Sequence, residues 1–251
     1  MSGRLAVVGL GPGDARWLTP EAAAALAAAD ALYGYGPYLD RVPSRRGQTR
    51  HASDNREEGA RAAAALHQAA DGANVAVVSG GDPGVFAMAA AVCEAIETGP
   101  SAWRALDVAV VPGVTAMLAV AARVGAPLGH DFCALSLSDN LKPWPVIEHR
   151  LDAAAQAGFV IALYNPISQA RQWQLTEAFE RLRRYLPPTT PVIFGRAVGR
   201  HDENIAVTTL QSADASHADM ATLVIIGSAE TRLVPRPGHG PLVYTPRSAT
   251  A

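Results

Sequence analysis

Arg4-Leu5-Ala6-Val7-Val8-Gly9-Leu10-Gly11-Pro12-Gly13-Asp14 is the stretch that decides the fold class. A short apolar run rich in β-branched residues reads as a buried strand, and it empties into a glycine-rich turn. A helix start follows at once. Thr19 can cap, Pro20 suits the first helical position because its missing N–H is not needed there, and Glu21 favours the positive helix end. Strand, glycine turn and helix, repeated, make a sheet of parallel strands with helices packed on it.

The pattern recurs outward along the chain. Strands are predicted at 5–8, 75–78, 108–111, 133–137, 160–164, 192–195, 205–209 and 223–226. Helices are predicted at 20–29, 56–70, 85–97, 115–124, 145–157, 169–185 and 214–220. The expected class is α/β, two αβα domains with mostly parallel or mixed sheets. Eight strands are many for one small open sheet, and Gly125-Ala126-Pro127-Leu128-Gly129 interrupts the pattern. A boundary is therefore placed there, giving an N-terminal domain at 1–125 and a C-terminal domain at 126–251. Residues 43–55 are polar, Arg-rich and aperiodic, and are read as a loop.

Composition excludes several classes. Hydrophobic residues make up 49%, and the formal net charge is −2, which carries no general electrostatic footprint for nucleic acid. The longest apolar stretch, 111–129, contains Pro112, Gly113 and Arg123 and makes a poor membrane span. No signal-peptide pattern opens the chain, so a cytoplasmic protein is expected. Cys93 and Cys133 lack partners and ligand spacing, so they read as buried small hydrophobes in a reducing compartment, with no metal site.

Two further loops have the character of the first. Ser79-Gly80-Gly81-Asp82-Pro83-Gly84 and Pro112-Gly113-Val114-Thr115-Ala116 also stand at the carboxyl ends of predicted strands and lead into helices. Open α/β sheets bind ligands beyond those ends, and glycine lets backbone approach closely. A dinucleotide fingerprint needs glycine at the sixth position of the first loop; Asp14 stands there, and Pro12 lacks the N–H a pyrophosphate would use. An NAD-dependent oxidoreductase is therefore the weaker reading. A non-catalytic scaffold is weaker still, since it needs no such loops.

These three motifs, in this order and spacing, resemble the signatures of the tetrapyrrole (corrin/porphyrin) methylase family. Leu163-Tyr164-Asn165-Pro166, Gly195 to Arg200 with Asp202-Glu203, and Asp219 to Gly227 extend the likeness, and Ser136 to Trp144 is similar to the precorrin-3B C17-methyltransferase branch. The resemblance implies two α/β domains with S-adenosyl-L-methionine in the cleft between them, S-adenosyl-L-homocysteine as product, and usually a homodimer. It implies cofactor contacts from Pro12, Gly80, Gly81, Asp82, Val85, Thr115 and Ala116, with Asn165 (through its backbone) and Ala197 from the second half. The implied substrate is the tetrapyrrole precorrin-3B, methylated at C17 as the ring contracts to precorrin-4 in cobalamin biosynthesis. The cobalt-precorrin-3 enzyme of the anaerobic route, or another corrin methylase, is the alternative.

Methyl transfer from a sulfonium needs positioning rather than a nucleophilic side chain. Ring contraction also needs proton transfers, for which Ser138, Asp139, Lys142 and His201 are the candidates. For Asp139 and His201 a plain surface-turn reading stands beside the catalytic one; for Asp14 a turn-capping role is preferred. The substrate's carboxylates call for cations, and Arg50, His51, Arg56 and Arg200 are the candidates; Arg45 and Arg46 fit a solvated face equally well. Tyr33, Tyr35 and Tyr38 are read as packing residues, Trp103 and Trp173 as core or dimer contacts, and Arg181, Arg183 and Arg184 as an exposed helix face.

Overall fold

The computed structural model describes residues 3–248. The chain divides into two compact units between Thr115 and Ala116. The expected boundary at 125/126 is thus displaced, because the helix at 116–124 packs on strands of the second unit.

The first unit runs β1 (Arg4–Gly9), α1 (Pro20–Ala28), β2 (Ala31–Tyr35), α2 (Gly36–Leu39), β3 (Thr49–Ser53), α3 (Glu58–Ala70), β4 (Asn74–Ser79), α4 (Met88–Thr98) and β5 (Asp107–Val111). Its sheet has the order β3-β2-β4-β1-β5, and every pairing is parallel. Alternation along β1 builds both cores. Leu5 and Val7 face Leu66, Val77 and Val92, while Ala6 and Val8 face Leu26, Leu32 and Val78. Both faces being covered, the strand reads as a continuous apolar run. Thr19 caps α1 as expected, its Oγ1 accepting from Ala22 N at 3.1 Å.

Residues 43–55 are not all loop. Thr49–Ser53 forms β3, paired in parallel with β2, and His51 lies opposite Tyr33. Its polarity reflects its place at the sheet edge, where it needs no second apolar face. The fourth helix starts at Met88 rather than at residue 85, because Phe86 takes a left-handed φ of 52° that ends the preceding turn.

The second unit runs α5 (Ala116–Val124), β6 (Gly125–Ala126), β7 (Phe132–Ser136), α6 (Trp144–Gln156), β8 (Val160–Tyr164), α7 (Gln174–Leu182), β9 (Pro191–Arg196), β10 (Asn204–Thr209), β11 (Thr222–Ile226), β12 (Arg232–Arg236) and β13 (His239–Tyr244). Its main sheet has the order β10-β9-β11-β8-β7, with only β7 and β8 parallel. A second, three-stranded sheet has the order β12-β13-β6. A largely parallel sheet therefore holds for the first unit, and the second is mixed.

Helix α7 is shorter than the predicted 169–185, because Ser168 and Arg171 pair as an isolated bridge before it. It buries Leu175, Ala178, Phe179 and Leu182, an i, i+3, i+4, i+7 stripe. The predicted helix at 214–220 is only a 3₁₀ turn at Ala215–His217, capped by Asp214. Arg181 does not belong to an exposed face: it lies 3.1 Å from Glu148, 2.9 Å from Asp152 and 3.8 Å from Glu177. Arg183 turns back to donate to Leu210 O and Ala213 O. Cys133 is half-buried, but Cys93 is exposed, contrary to expectation, on the outer side of α4. No helix among the described residues is long and apolar enough to cross a membrane.

Candidate functional site

In the first unit the three glycine loops follow β1, β4 and β5, which are neighbours in the sheet. Their backbones are knitted together. Gly11 N donates to Gly81 O at 3.1 Å and Gly81 N returns the bond to Gly11 O at 2.9 Å. Both glycines sit at positive φ, +68° and +66°. The approach tolerates no side chain, since a Cβ on Gly113 would lie 2.3 Å from Gly81 O, and one on Gly9 2.7 Å from Gly113 N. Asp82 joins the second loop to the third: its Oδ1 accepts from Gly84 N at 2.8 Å and its Oδ2 from Gly113 N at 3.0 Å.

The carboxylate of Asp82 thus stands among three loops with backbone N–H groups as its hydrogen-bond partners, and among the described residues no arginine or lysine is ion-paired with it. Two accepted bonds leave acceptor capacity to spare. A fixed negative charge in a glycine cradle suits a cationic ligand and repels a pyrophosphate. Pro12, Gly80, Gly81, Asp82, Val85 and Thr115 all belong to this cluster of loops, with Ala116 at the start of the following helix. Thr115 is buried, and Val85 N donates to Asp82 O at 3.3 Å. Asp14 caps the short turn that follows the first loop. It accepts from Arg16 N and pairs with the Arg16 guanidinium, which holds its carboxyl below the usual range.

Arg41 had no sequence signal, being an isolated arginine beyond an aromatic run. In the structure its Nη2 donates to Leu10 O, Gly11 O and Gly13 O at 2.9, 2.8 and 2.6 Å. Arg50, expected to bind substrate, is instead spent on the chain itself. Its guanidinium donates to Leu39 O at 3.0 Å and Val42 O at 2.5 Å, bracing the turn after α2. His51 is exposed and stacks on Tyr33 at 4.3 Å between centroids. Arg56 is exposed, in the left-handed region at φ 78°. The tyrosines pack as read: Tyr33 donates to Gln68 Oε1, and the Tyr38 ring would meet a Cβ on Gly80 at 2.7 Å.

In the second unit the remaining candidates lie at one end of the main sheet, after β7, β8 and β9. Asn165 has φ 50°, and its Nδ2 donates to Ser136 Oγ at 2.9 Å, which ties the β8 loop to the β7 loop. Asp139 accepts from Gln174 Nε2 at 3.1 Å and lies 4.0 Å from Arg171. Ser138 N donates to Ser136 Oγ at 3.3 Å. Burial, and then the like charge of Arg150, lower the Lys142 ammonium below its ordinary range. Trp173 is half-exposed and meets Trp144 edge-on, whereas Trp103 is core.

Ala197 is buried with φ 49° and donates to Ala221 O at 2.9 Å. Its turn is set by Glu203, which accepts from Gly199 N at 2.6 Å and pairs with Arg123. Arg200 and His201 are exposed at the tip of the same turn. Between β7 and β9 lie β8 and β11, three strand spacings in all, or about 14 Å. His201 follows β9, three strand spacings from the β7 loop that carries Ser138, Asp139 and Lys142. Among the described residues no group of three His, Cys, Asp or Glu could hold a metal ion.

Residues 4–214 match the Tetrapyrrole (Corrin/Porphyrin) Methylases. This chain belongs to that family. Within the tetrapyrrole methylases it is 68% identical to a precorrin-3B C(17)-methyltransferase from Sinorhizobium sp., over 98% of this chain and 97% of that one. It is 51% identical to the cobalamin biosynthesis protein CobIJ of Mycobacterium tuberculosis, where the match spans 92% of this chain but 46% of the relative. The crystal structure of the methyltransferase CobJ superposes with a TM-score of 0.92 at 49% identity, covering 98% of this chain and all of that one. The protein is accordingly a methyltransferase with the tetrapyrrole-methylase fold.

Proposed function

We propose that this chain transfers a methyl group from S-adenosyl-L-methionine to C17 of precorrin-3B, with contraction of the macrocycle to precorrin-4 in cobalamin biosynthesis. The observation that carries the reading is the 68% identity to a precorrin-3B C(17)-methyltransferase along nearly the full length of both chains. The cradle fits the cofactor chemically, because Asp82 supplies a negative charge where a sulfonium cation is to be held. When bound, that cofactor supplies an electrophilic methyl group.

In this reading the chain's own residues bind and orient. Pro12, Gly80, Gly81, Asp82, Val85, Thr115 and Ala116 present backbone and one carboxylate, and Asn165 and Ala197 contribute from left-handed turns. Asp139, whose carboxylate accepts from Gln174, takes up a proton during ring contraction in this reading, with Ser138 and Lys142 near it in sequence. A lysine whose pKa is lowered by burial gives up its proton more readily than an exposed one. His51, Arg56 and Arg200 are exposed and offer charge to the substrate's carboxylates, and His201 offers a separate proton site. The enzyme is taken to be a cytoplasmic homodimer.

The test is anaerobic incubation with S-adenosyl-L-methionine and precorrin-3B, followed by the mass and visible spectrum of the product. Gain of a single methyl group with the spectral change of a contracted ring is expected. Turnover only of a cobalt-loaded substrate would overturn the metal-free assignment. Failure to bind S-adenosyl-L-homocysteine would overturn the cofactor assignment.

A further inference from the structure

The first glycine loop is tied to the second through Gly11, and its carbonyls converge on one side chain. Pro12 carries no N–H, and the carbonyls of Leu10, Gly11 and Gly13 all turn inward to a single nitrogen, Nη2 of Arg41. An amino group of a guanidinium has only two hydrogens, so at least one of these bonds is shared between two carbonyls. The charge on the guanidinium makes such sharing worthwhile, and its planarity fixes the direction of each bond. Those three carbonyls flank Pro12 on both sides, and the Gly11 peptide also carries the paired bonds to Gly81. Arg41 therefore sets the peptide planes that decide where Pro12 projects and how the first loop meets the second. It is half-buried and contributes to no core of its own.

We infer that Arg41 is a positioning residue for the cofactor. It acts through the Gly9–Asp14 turn by drawing three carbonyl dipoles away from the ligand side. The inference rests on the reading of that turn as part of the cofactor's site. Without the guanidinium, the buried carbonyls of Leu10 and Gly13 must find other donors while Gly11 O keeps its bond from Gly81 N, and turning outward is the nearest way for those two to do so. The cost then falls on cofactor binding and not on the proton-transfer groups, which stand on other loops.

The test compares wild type, Arg41→Ala, Arg41→Lys and, as a surface control, Arg104→Ala, which also loses a guanidinium–carbonyl bond. S-adenosyl-L-homocysteine binding is read by calorimetry, and KM for S-adenosyl-L-methionine and kcat in the methylation assay. Arg41→Ala is expected to weaken binding about ten- to hundredfold, to raise KM in step, and to leave kcat at saturation within about threefold. Arg41→Lys keeps the charge but not the fork, so its loss is intermediate. Added methylguanidinium restores part of the affinity of Arg41→Ala and none in Arg104→Ala, a response that a general loss of stability does not give. If Arg41→Ala fails to fold, Arg41→Lys still carries the test.

Wild-type affinity in either folded Arg41 variant would overturn the inference, as would a fall in kcat with KM unchanged. A wild-type protein that does not bind S-adenosyl-L-homocysteine would overturn the cofactor reading itself, and is told apart by needing no variant.

Discussion

Gly113→Ala tests the close approach of the three loops most directly. The added Cβ would stand 2.3 Å from Gly81 O, where ordinary contact begins at 3.4 Å, and 3.0 Å from Cα and C of Gly9. All of these atoms are backbone, so no side chain can swing aside. The second loop must retreat by about 1 Å, which is the scale at which overpacking costs about 1–3 kcal/mol. Gly81 O also accepts from Gly11 N, and pulling that bond apart adds about 1 kcal/mol. A destabilisation of about 2–4 kcal/mol follows, which lowers the melting midpoint of the first unit by roughly 10 °C. Misplacement by about 1 Å at a positioning site costs on the order of a hundredfold in rate, so kcat/KM should fall by about that factor. Calorimetry and the methylation assay read the two effects separately. Gly59→Ala is the control: it lies in α3, its Cβ would meet nothing within 4 Å, and it should be neutral or stabilising by up to about 1 kcal/mol. A Gly113→Ala protein as stable and as active as wild type would refute the argument that these loops touch.

Asp82→Asn should weaken S-adenosyl-L-homocysteine binding at least about tenfold, since the amide sets an N–H against one of the two backbone N–H groups the carboxylate now serves; calorimetric titration measures it. At pH 8 a thiol reagent should label Cys93 rapidly and Cys133 only after denaturation, counted by mass spectrometry. Burial pushes the Cys133 thiol up to about 11 from an ordinary 9.0, so the unfolded chain releases this proton first. Stability should therefore decline between pH 9 and 11, and Cys133→Ala should remove that slope from the pH dependence of urea unfolding. Arg181→Met leaves Glu148, Asp152 and Glu177 facing one another in a region only about a fifth to a third exposed. A loss of about 2 kcal/mol in urea unfolding is expected, and added salt should recover part of it.

The three glycine loops were legible in the sequence because their chemistry is local: glycine and proline at the end of an apolar run state a turn without reference to anything distant. Strands β1, β4 and β5 and helix α1 were legible for the same reason, as the capping of α1 by Thr19 illustrates, whereas β2 and α2 were missed because Tyr33-Gly34-Tyr35-Gly36-Pro37 reads as a turn. Strand β3 was not legible, because an edge strand needs only one apolar face and Thr49-Arg50-His51-Ala52-Ser53 hides its period. The direction of β9 to β11 was also beyond reach, since connection lengths permit either sense. Arg41 and Arg50 show the other limit. Both are arginines that follow α2 in the chain, and only the carbonyls they meet reveal that each holds the chain. Arg181 misled in the same way, its acidic partners lying on the neighbouring helix α6.

The strand order of the first unit bears on how the chain is made. β1 is an interior strand of its sheet, yet its partners are β4 and β5, and Gly9 waits for Ser79 about seventy residues later. At a synthesis rate of about 5–20 residues per second, an apolar strand with both edges unpaired is extruded roughly 4–14 seconds before its first neighbour exists. The second unit has no such interval for β9 and β10 or for β12 and β13, which are adjacent hairpins that can close as soon as they emerge. Yield in the cell should therefore be limited by the fate of nascent β1, and a chaperone that shelters the first hundred residues should raise soluble expression more than any stabilisation of the second unit.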